Sequence, residues 1–206
     1  MSLGLNTQTK NRGDFLSIIK FNATSGEFLV ENRSPNGDGT WSRDYDELKL
    51  PIKLVMDLGD IDVGWLSFAS GAPDFQMVKV GDKVPAQPSP EHKQAFRVRV
   101  FNKSLGLREF SHSAKTVMRA MDDLHNQFEA ERGANMGKMP VVEIPECTTV
   151  RVQTPQGELR FKAPAWKIVS WIDVPDVFTA KKEPDWFTAK KEVAAEAPTA
   201  EEDDLF

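Results

Sequence analysis

The sequence predicts a mainly β domain that contains one long helix and is followed by a charged C-terminal extension. Short segments in which apolar and polar residues alternate recur from residue 15 to residue 172, as is typical of half-buried strands. Residues 111–132 instead have the apolar spacing of an amphipathic helix. After Asp173 the composition changes to a duplicated and then an acidic sequence, which cannot form a core.

The chain before the helix contains several strand-like segments separated by turns. Residues 1–13 are polar and are predicted to be a flexible arm. Residues 71–90 contain four prolines and are predicted to be a long irregular connection. The predicted strands in this part are residues 15–21, 27–30, 51–58 and 61–69.

A row of aromatic and basic residues follows the loop at residues 34–39. Trp41, Arg43 and Tyr45 are spaced by two, so they share one face of an extended chain. Such a row is able to stack nucleic-acid bases while it holds phosphate. The alternative interpretation is that Trp41 and Tyr45 cover an edge of the core, and the spacing alone does not decide between the two.

A second row lies in the most basic part of the chain. The even-numbered residues 96–100 are apolar and predict a core face. Arg97, Arg99 and Phe101 fall on the opposite side and predict a cationic face that ends in an exposed aromatic ring, with Lys103 just beyond. The alternative is an ordinary solvated strand face with cross-strand salt bridges. The candidate nucleic-acid-binding residues are Trp41, Arg43, Tyr45, Arg97, Arg99, Phe101 and Lys103.

The helix at 111–132 is expected to be capped by Ser111 or Ser113 and to end at Gly133. More strands follow it, and an order of strands, helix and strands is that of the OB fold, a small β-barrel. An additional early hairpin makes the prediction an elaborated OB fold over residues 14–175. The predicted strands after the helix are residues 141–144, 148–153, 158–162 and 166–172.

Other features exclude several classes of protein. The single cysteine, Cys147, excludes an intrachain disulfide and fits a reducing compartment. Residues 1–10 lack a signal-peptide pattern, and no apolar run approaches the roughly 20 residues of a membrane helix, so we expect a soluble cytoplasmic protein. The histidines lack zinc-ligand spacing, and nucleotide-binding loops and a nucleophile elbow are absent. We therefore expect no metal, no cofactor and no enzymatic activity.

The C-terminal extension has two parts. Residues 176–184 and 185–193 are nine-residue units that differ only at their second and last positions, and we interpret them as a duplication within a linker. Residues 194–206 contain five carboxylates and no basic residue; the whole chain has 26 basic and 31 acidic residues, so the remainder is neutral. Such a tail is expected to be disordered.

The tail ends in two apolar residues, which favours a peptide that binds a basic partner surface with an apolar pocket over a simple solubility tail. The candidate partner-binding residues are Glu201, Glu202, Asp203, Asp204, Leu205 and Phe206.

This acidic, Phe-terminated tip resembles the tails of single-stranded DNA-binding proteins, both bacterial and encoded by short-tailed phages. The likeness covers the tip and the layout of domain, linker and tail. Leu205 stands where the bacterial pattern has proline, so the phage-encoded type fits better. The resemblance implies an OB domain that binds single-stranded DNA in replication, recombination or repair. It also implies a tail that recruits partners such as a polymerase or helicase-primase, and often a homodimer. The alternatives are an adaptor protein without nucleic-acid binding and a metal-dependent nuclease with scattered carboxylates.

Overall fold

Residues 16–179, the part of the chain that the computed structural model describes, form twelve strands and two helices. The first six strands are β1 (Ile18–Phe21), β2 (Phe28–Pro35), β3 (Trp41–Leu48), β4 (Ile52–Met56), β5 (Asp62–Ser67) and β6 (Asp74–Lys79). The others are β7 (Lys93–Asn102), β8 (Gly106–His112), β9 (Lys138–Ile144), β10 (Cys147–Thr154), β11 (Gly157–Pro164) and β12 (Lys167–Asp173). The helices are α1 (Lys115–Glu131) and α2 (Asp176–Thr179), and 3₁₀ turns occupy Leu58–Asp60 and Arg132–Asn135.

Ten strands form one main sheet, whose central path runs β12-β9-β4-β7-β8-β1-β2-β3. β5 pairs with β7 and carries β6 on its other side. All of these pairs are antiparallel except β1 with β8, while β10 and β11 form a separate hairpin. Among residues 16–179 no pairing joins the two ends of the path, β12 and β3, into a closed barrel. The mainly β fold with one long helix is confirmed, whereas the OB fold stays a prediction.

The core lies between the main sheet and α1. The apolar face predicted for β7 is confirmed, because Phe96, Val98 and Val100 are each at most 4% exposed. The buried residues of α1 belong to the same cluster and repeat at helical spacing. They are Val117, Met121, Leu124 and Phe128.

Two regions differ from the sequence prediction. The 71–90 segment is not wholly irregular, because β6 lies within it and pairs with β5 along its full length. Its prolines lie outside that strand, which allows the backbone hydrogen bonds to form.

The helix begins later than predicted. Ser111 belongs to β8, where it pairs with Arg97, and the N-cap residue of α1 is Ala114, without a side-chain cap. Strand pairing therefore uses Ser111, while Ser113 lies between β8 and the N-cap residue, so neither predicted serine is the N-cap residue of α1. Gly133 does not end the helix as predicted, since α1 ends at Glu131 and Gly133 lies inside the following 3₁₀ turn.

Some predictions fall on residues that the structure does not describe. These are the arm at 1–13, the second nine-residue unit and the acidic tail at 194–206 with its partner-binding residues. Within residues 16–179, no helix has the length and apolar composition needed to cross a membrane.

Candidate nucleic-acid interface

Both predicted rows lie on the same face of the main sheet, which we call the outer face because it is opposite the core. Arg99 is paired with Glu109, Glu109 with Ile18, and Glu31 with Tyr45. Ile18 and Glu31 are next to each other in the β1–β2 register. Paired residues share a face of a sheet, so these five residues form one line across it. β7 and β3 are four strands apart, or roughly 19 Å at the usual strand spacing.

The row on β3 is exposed. The Trp41 residue is 64% exposed, the Arg43 side chain 62%, and the Tyr45 residue 41%. Within the described chain β3 pairs only with β2, so it is an edge strand of the sheet. The predicted common face is confirmed, and neither aromatic residue belongs to the buried core.

A buried carboxylate lies beneath this row. Glu31 on β2 is 1% exposed, and its oxygens lie 3.0 Å from Nη2 of Arg33 and 3.5 Å from Nε of Arg43. Burial acts to raise the pKa of Glu31, but the hydrogen bond and charge of Arg33, with the charge of Arg43, hold it below its usual value. The carboxylate therefore stays ionised and positions two arginines beside the aromatic residues.

Sequence reasoning missed two basic residues, Lys20 and Arg33, that lie beside the row of β3 on the outer face. Nζ of Lys20 on β1 donates a 2.7 Å hydrogen bond to the Tyr45 hydroxyl and lies 4.1 Å from the ring centroid. Lys20 is 25 residues from Tyr45, and no local pattern indicates that they meet. We call this surface the β3 platform; its members are Lys20, Arg33, Trp41, Arg43 and Tyr45. Glu47 lies on the same face at the end of the row.

The two arginines of β7 are already paired with carboxylates. Arg97 donates hydrogen bonds of 3.0 and 2.7 Å from Nε and Nη2 to one Asp62 oxygen. Arg99 donates to Asp57 and, at 3.2 Å, to Asp60. Lys79 of β6 adds a third cation, 2.8 Å from both Asp60 and Asp62.

These contacts neutralise the face that was predicted to be cationic. Burial raises the pKa values of Asp57 and Glu109 despite the nearby arginines. Burial also acts to raise the pKa of Asp62, but Lys79 and Arg97 outweigh it and lower that pKa. Three cations face four carboxylates, namely Arg97, Arg99 and Lys79 against Asp57, Asp60, Asp62 and Glu109. The alternative interpretation, a face with cross-strand salt bridges, describes this region.

Phe101 is not the exposed aromatic residue that the sequence predicted. Its ring meets Phe178 of α2 edge-on, with centroids 6.3 Å apart, and the Arg99 guanidinium lies 5.6 Å from the centroid of Phe178. The first nine-residue unit therefore begins by covering this part of β7. Lys103 is exposed in the turn between β7 and β8.

No protein-family model matches the chain, and no similar curated protein or solved structure was found.

A group of polar side chains away from both rows, which the sequence did not indicate, holds the connection between β6 and β7 in place. Ser89 Oγ lies 2.9 Å from Nδ1 of the buried His92, whose Nε2 lies 3.3 Å from Asp74 at the start of β6. Ser89 Oγ also donates to Glu91 at 2.5 Å, and the Ser89 carbonyl accepts from the His92 amide. These contacts close a turn around His92 and fix the connection to the sheet.

Within residues 16–179 no three His, Cys, Asp or Glu side chains are grouped so that they could hold a metal ion. The arrangement of the β3 platform, with exposed rings between cations, instead suits a ligand that has both flat bases and negative phosphates.

Proposed function

We propose that the chain binds single-stranded DNA through the β3 platform, with little sequence preference, and acts in replication, recombination or repair. The observation that carries the proposal is the exposed Trp41 beside the exposed Arg43 on an edge strand. Stacking of a base on an aromatic side chain contributes roughly 1–3 kcal/mol and tolerates any base, because every base has a flat face.

In this proposal the aromatic residues of the platform stack bases and its basic residues attract phosphates. Trp41 stacks one base, and Tyr45 offers a base the ring face that Lys20 does not cover. Arg43 and Lys20 attract the phosphates, because Arg43 is 62% exposed and Nζ of Lys20 lies over the exposed Tyr45 ring. Contacts of this kind recognise the backbone and the flat face of a base, so they carry little sequence information. An elaborated OB fold, which commonly binds oligonucleotides on strand faces, is part of the proposal.

The C-terminal tail is proposed to recruit partner proteins, in line with its resemblance to the tails of single-stranded DNA-binding proteins. Its acidic residues compete with DNA for the platform, and DNA binding frees Leu205 and Phe206 for a partner such as a polymerase or helicase-primase. A homodimer is part of the same proposal. Phe206→Ala is expected to preserve DNA affinity and to weaken recruitment; an equal loss of both would contradict the separate roles.

The experiment is a titration of the full chain with oligo-dT, followed by tryptophan fluorescence at 50 and 200 mM salt. Quenching that weakens at the higher salt is expected, and Trp41→Ala should remove most of it. Trp171→Phe is the matched control, since Trp171 stacks on Phe128 in the core with centroids 5.7 Å apart and should keep the quenching. Absence of quenching in the wild-type chain at low salt would reject DNA binding and favour the adaptor alternative.

A further inference from the structure

The β10–β11 hairpin places two arginines directly opposite each other. In its antiparallel register, Arg151 faces Arg160 and Thr149 faces Lys162. Both arginine side chains are 67% exposed. Residues at these positions share one face of the hairpin because strand side chains alternate.

This pairing is unfavourable for the hairpin itself. Like charges at directly opposite positions destabilise a strand pair. Among residues 16–179 the carboxylate that offsets them is that of Glu158, which lies 3.0 Å from Nε of Arg160 and 4.0 Å from Nη1 of Arg151. With Lys162, whose Nζ donates to Thr149 at 2.9 Å, the face carries three cations and one carboxylate. An anion that binds between the arginines would explain the arrangement.

The hairpin is attached at the Lys20 end of the β3 platform. Trp41 and Arg43 lie towards the opposite end, because Trp41 pairs with Pro35 whereas Leu48 pairs with Phe28 beside the β1–β2 turn. The Lys162 amide donates a 2.7 Å hydrogen bond to the Ala23 carbonyl, and the Cys147 thiol lies 3.4 Å from the Gly26 carbonyl. Ala23 and Gly26 belong to the turn that joins β1 to β2, the strands that carry Lys20 and Arg33. A strand of nucleic acid that leaves the platform towards this turn therefore reaches the hairpin next.

We propose that Arg151 and Arg160 form a second binding site for the phosphodiester backbone of the single strand held by the platform. The inference rests on the proposed function. A guanidinium group matches phosphate oxygens with two parallel hydrogen bonds, so an opposed pair grips one phosphate or two neighbouring ones. The site contributes affinity and salt dependence without reading the bases.

The test compares Arg151→Ala/Arg160→Ala with the wild-type full chain, by anisotropy of labelled oligo-dT between 50 and 200 mM salt. The slope of log affinity against log salt is expected to fall in magnitude by about 1.4, at about 0.7 per phosphate on a single strand. Affinity at 50 mM salt should fall on the order of tenfold. Glu158→Gln, which removes the competing carboxylate, should instead raise the affinity.

The matched control is Lys53→Ala/Arg132→Ala, which removes two exposed cations, 61% and 56% exposed, away from both surfaces. It should leave the slope within error, and a Tm no lower than that of the wild-type chain shows that each variant folds. If the wild-type chain binds and the hairpin variant keeps its slope, the inference is wrong while the proposed function stands. No salt-dependent binding by the wild-type chain would overturn both. Binding to phosphatidylserine vesicles is measured for the same variants. If Arg151→Ala/Arg160→Ala weakens vesicle binding and leaves oligo-dT binding unchanged, the ligand is a lipid headgroup and the DNA assignment is wrong.

Discussion

The rows on β3 and β7 have similar sequences and different environments. Both place basic and aromatic residues at every second position, and both lie on the outer face of the main sheet. On β7, Arg97 and Arg99 each bind aspartates from other segments, and the row has more carboxylates than cations. On β3, the carboxylate beneath the row, Glu31, is buried and shared by two arginines.

The difference shows that an alternating basic strand is not by itself a binding surface. Whether a basic strand is available to an anionic ligand depends on whether carboxylates from other parts of the chain reach its basic side chains. Exposed salt bridges contribute little to stability, but partly buried, multiply bonded ones such as Arg97 with Asp62 hold strands together. The contacts of the β7 arginines are structural, and the proposed binding role therefore falls to the β3 platform.

The largest expected effect is on DNA affinity. Trp41→Ala/Arg43→Ala should weaken oligo-dT binding about a hundredfold, because it removes a stacking surface and a phosphate contact. Arg97→Ala/Arg99→Ala, which removes two charges, should change affinity less than threefold. Anisotropy of a labelled oligonucleotide measures both without relying on tryptophan. A larger loss in the β7 variant would reverse the assignment of the two rows.

The next effect is on stability and concerns β7. Arg97→Ala should lower the free energy of unfolding by about 2 kcal/mol, because it leaves the partly buried Asp62 with Lys79 alone. Lys53→Ala, which removes the 61% exposed partner of Glu143, should cost less than about 0.5 kcal/mol. Urea denaturation measures both values. Equal costs would show that the Arg97 contacts are no stronger than a surface pair.

A pH-dependent effect is expected beneath the β3 platform. The folded-state pKa of Glu31 lies below its ordinary value of 4.5. Its stabilising contribution is therefore fully present above pH 4.5 and is lost as the pH falls through the folded-state pKa. Glu31→Gln should cost about 1.5 kcal/mol at pH 7, with a smaller difference from wild type at pH 3. A cost that stays constant over this range would mean that the charge of Glu31 is not what stabilises the fold.

The smallest effect on stability concerns Phe178 of α2, which packs on Phe101 of β7. Phe178→Ala should lower stability by about 1 kcal/mol through loss of the edge-on contact with Phe101. DNA affinity should not rise, since Asp57 and Asp60 still neutralise Arg99. Val177→Ala, at an exposed neighbouring position, is the control. A clear gain in affinity for Phe178→Ala would instead identify the β7 row as a covered DNA site.

Local sequence patterns predicted the parts of this molecule that depend on neighbouring residues. The alternation in β7 identified its core face, and the spacing of Trp41, Arg43 and Tyr45 identified a common face, because both depend only on the geometry of an extended strand. The order of the strands in the sheet and the net charge of the β7 face depend on pairings that the sequence does not display. Asp62 reaches Arg97 across 35 residues, through the register of β5 with β7. For the same reason, the sequence did not show that Lys20 lies beside Tyr45, which is 25 residues away.

The parallel pairing of β1 with β8 also has a consequence for how the chain folds. Ile19 and Phe110 pair across about 90 residues, so the middle of the sheet forms only after most of the domain has been synthesised. The β1–β2–β3 meander ends at Leu48, about 60 residues before Phe110, so at roughly 5–20 residues per second it waits on the order of 3–12 s for its partner. During that interval the edge of β1 that later pairs with β8 is open to other nascent chains. The opposite edge of the meander is β3, whose dense charges, including Arg43, Asp44 and Asp46, keep that second edge from aggregating.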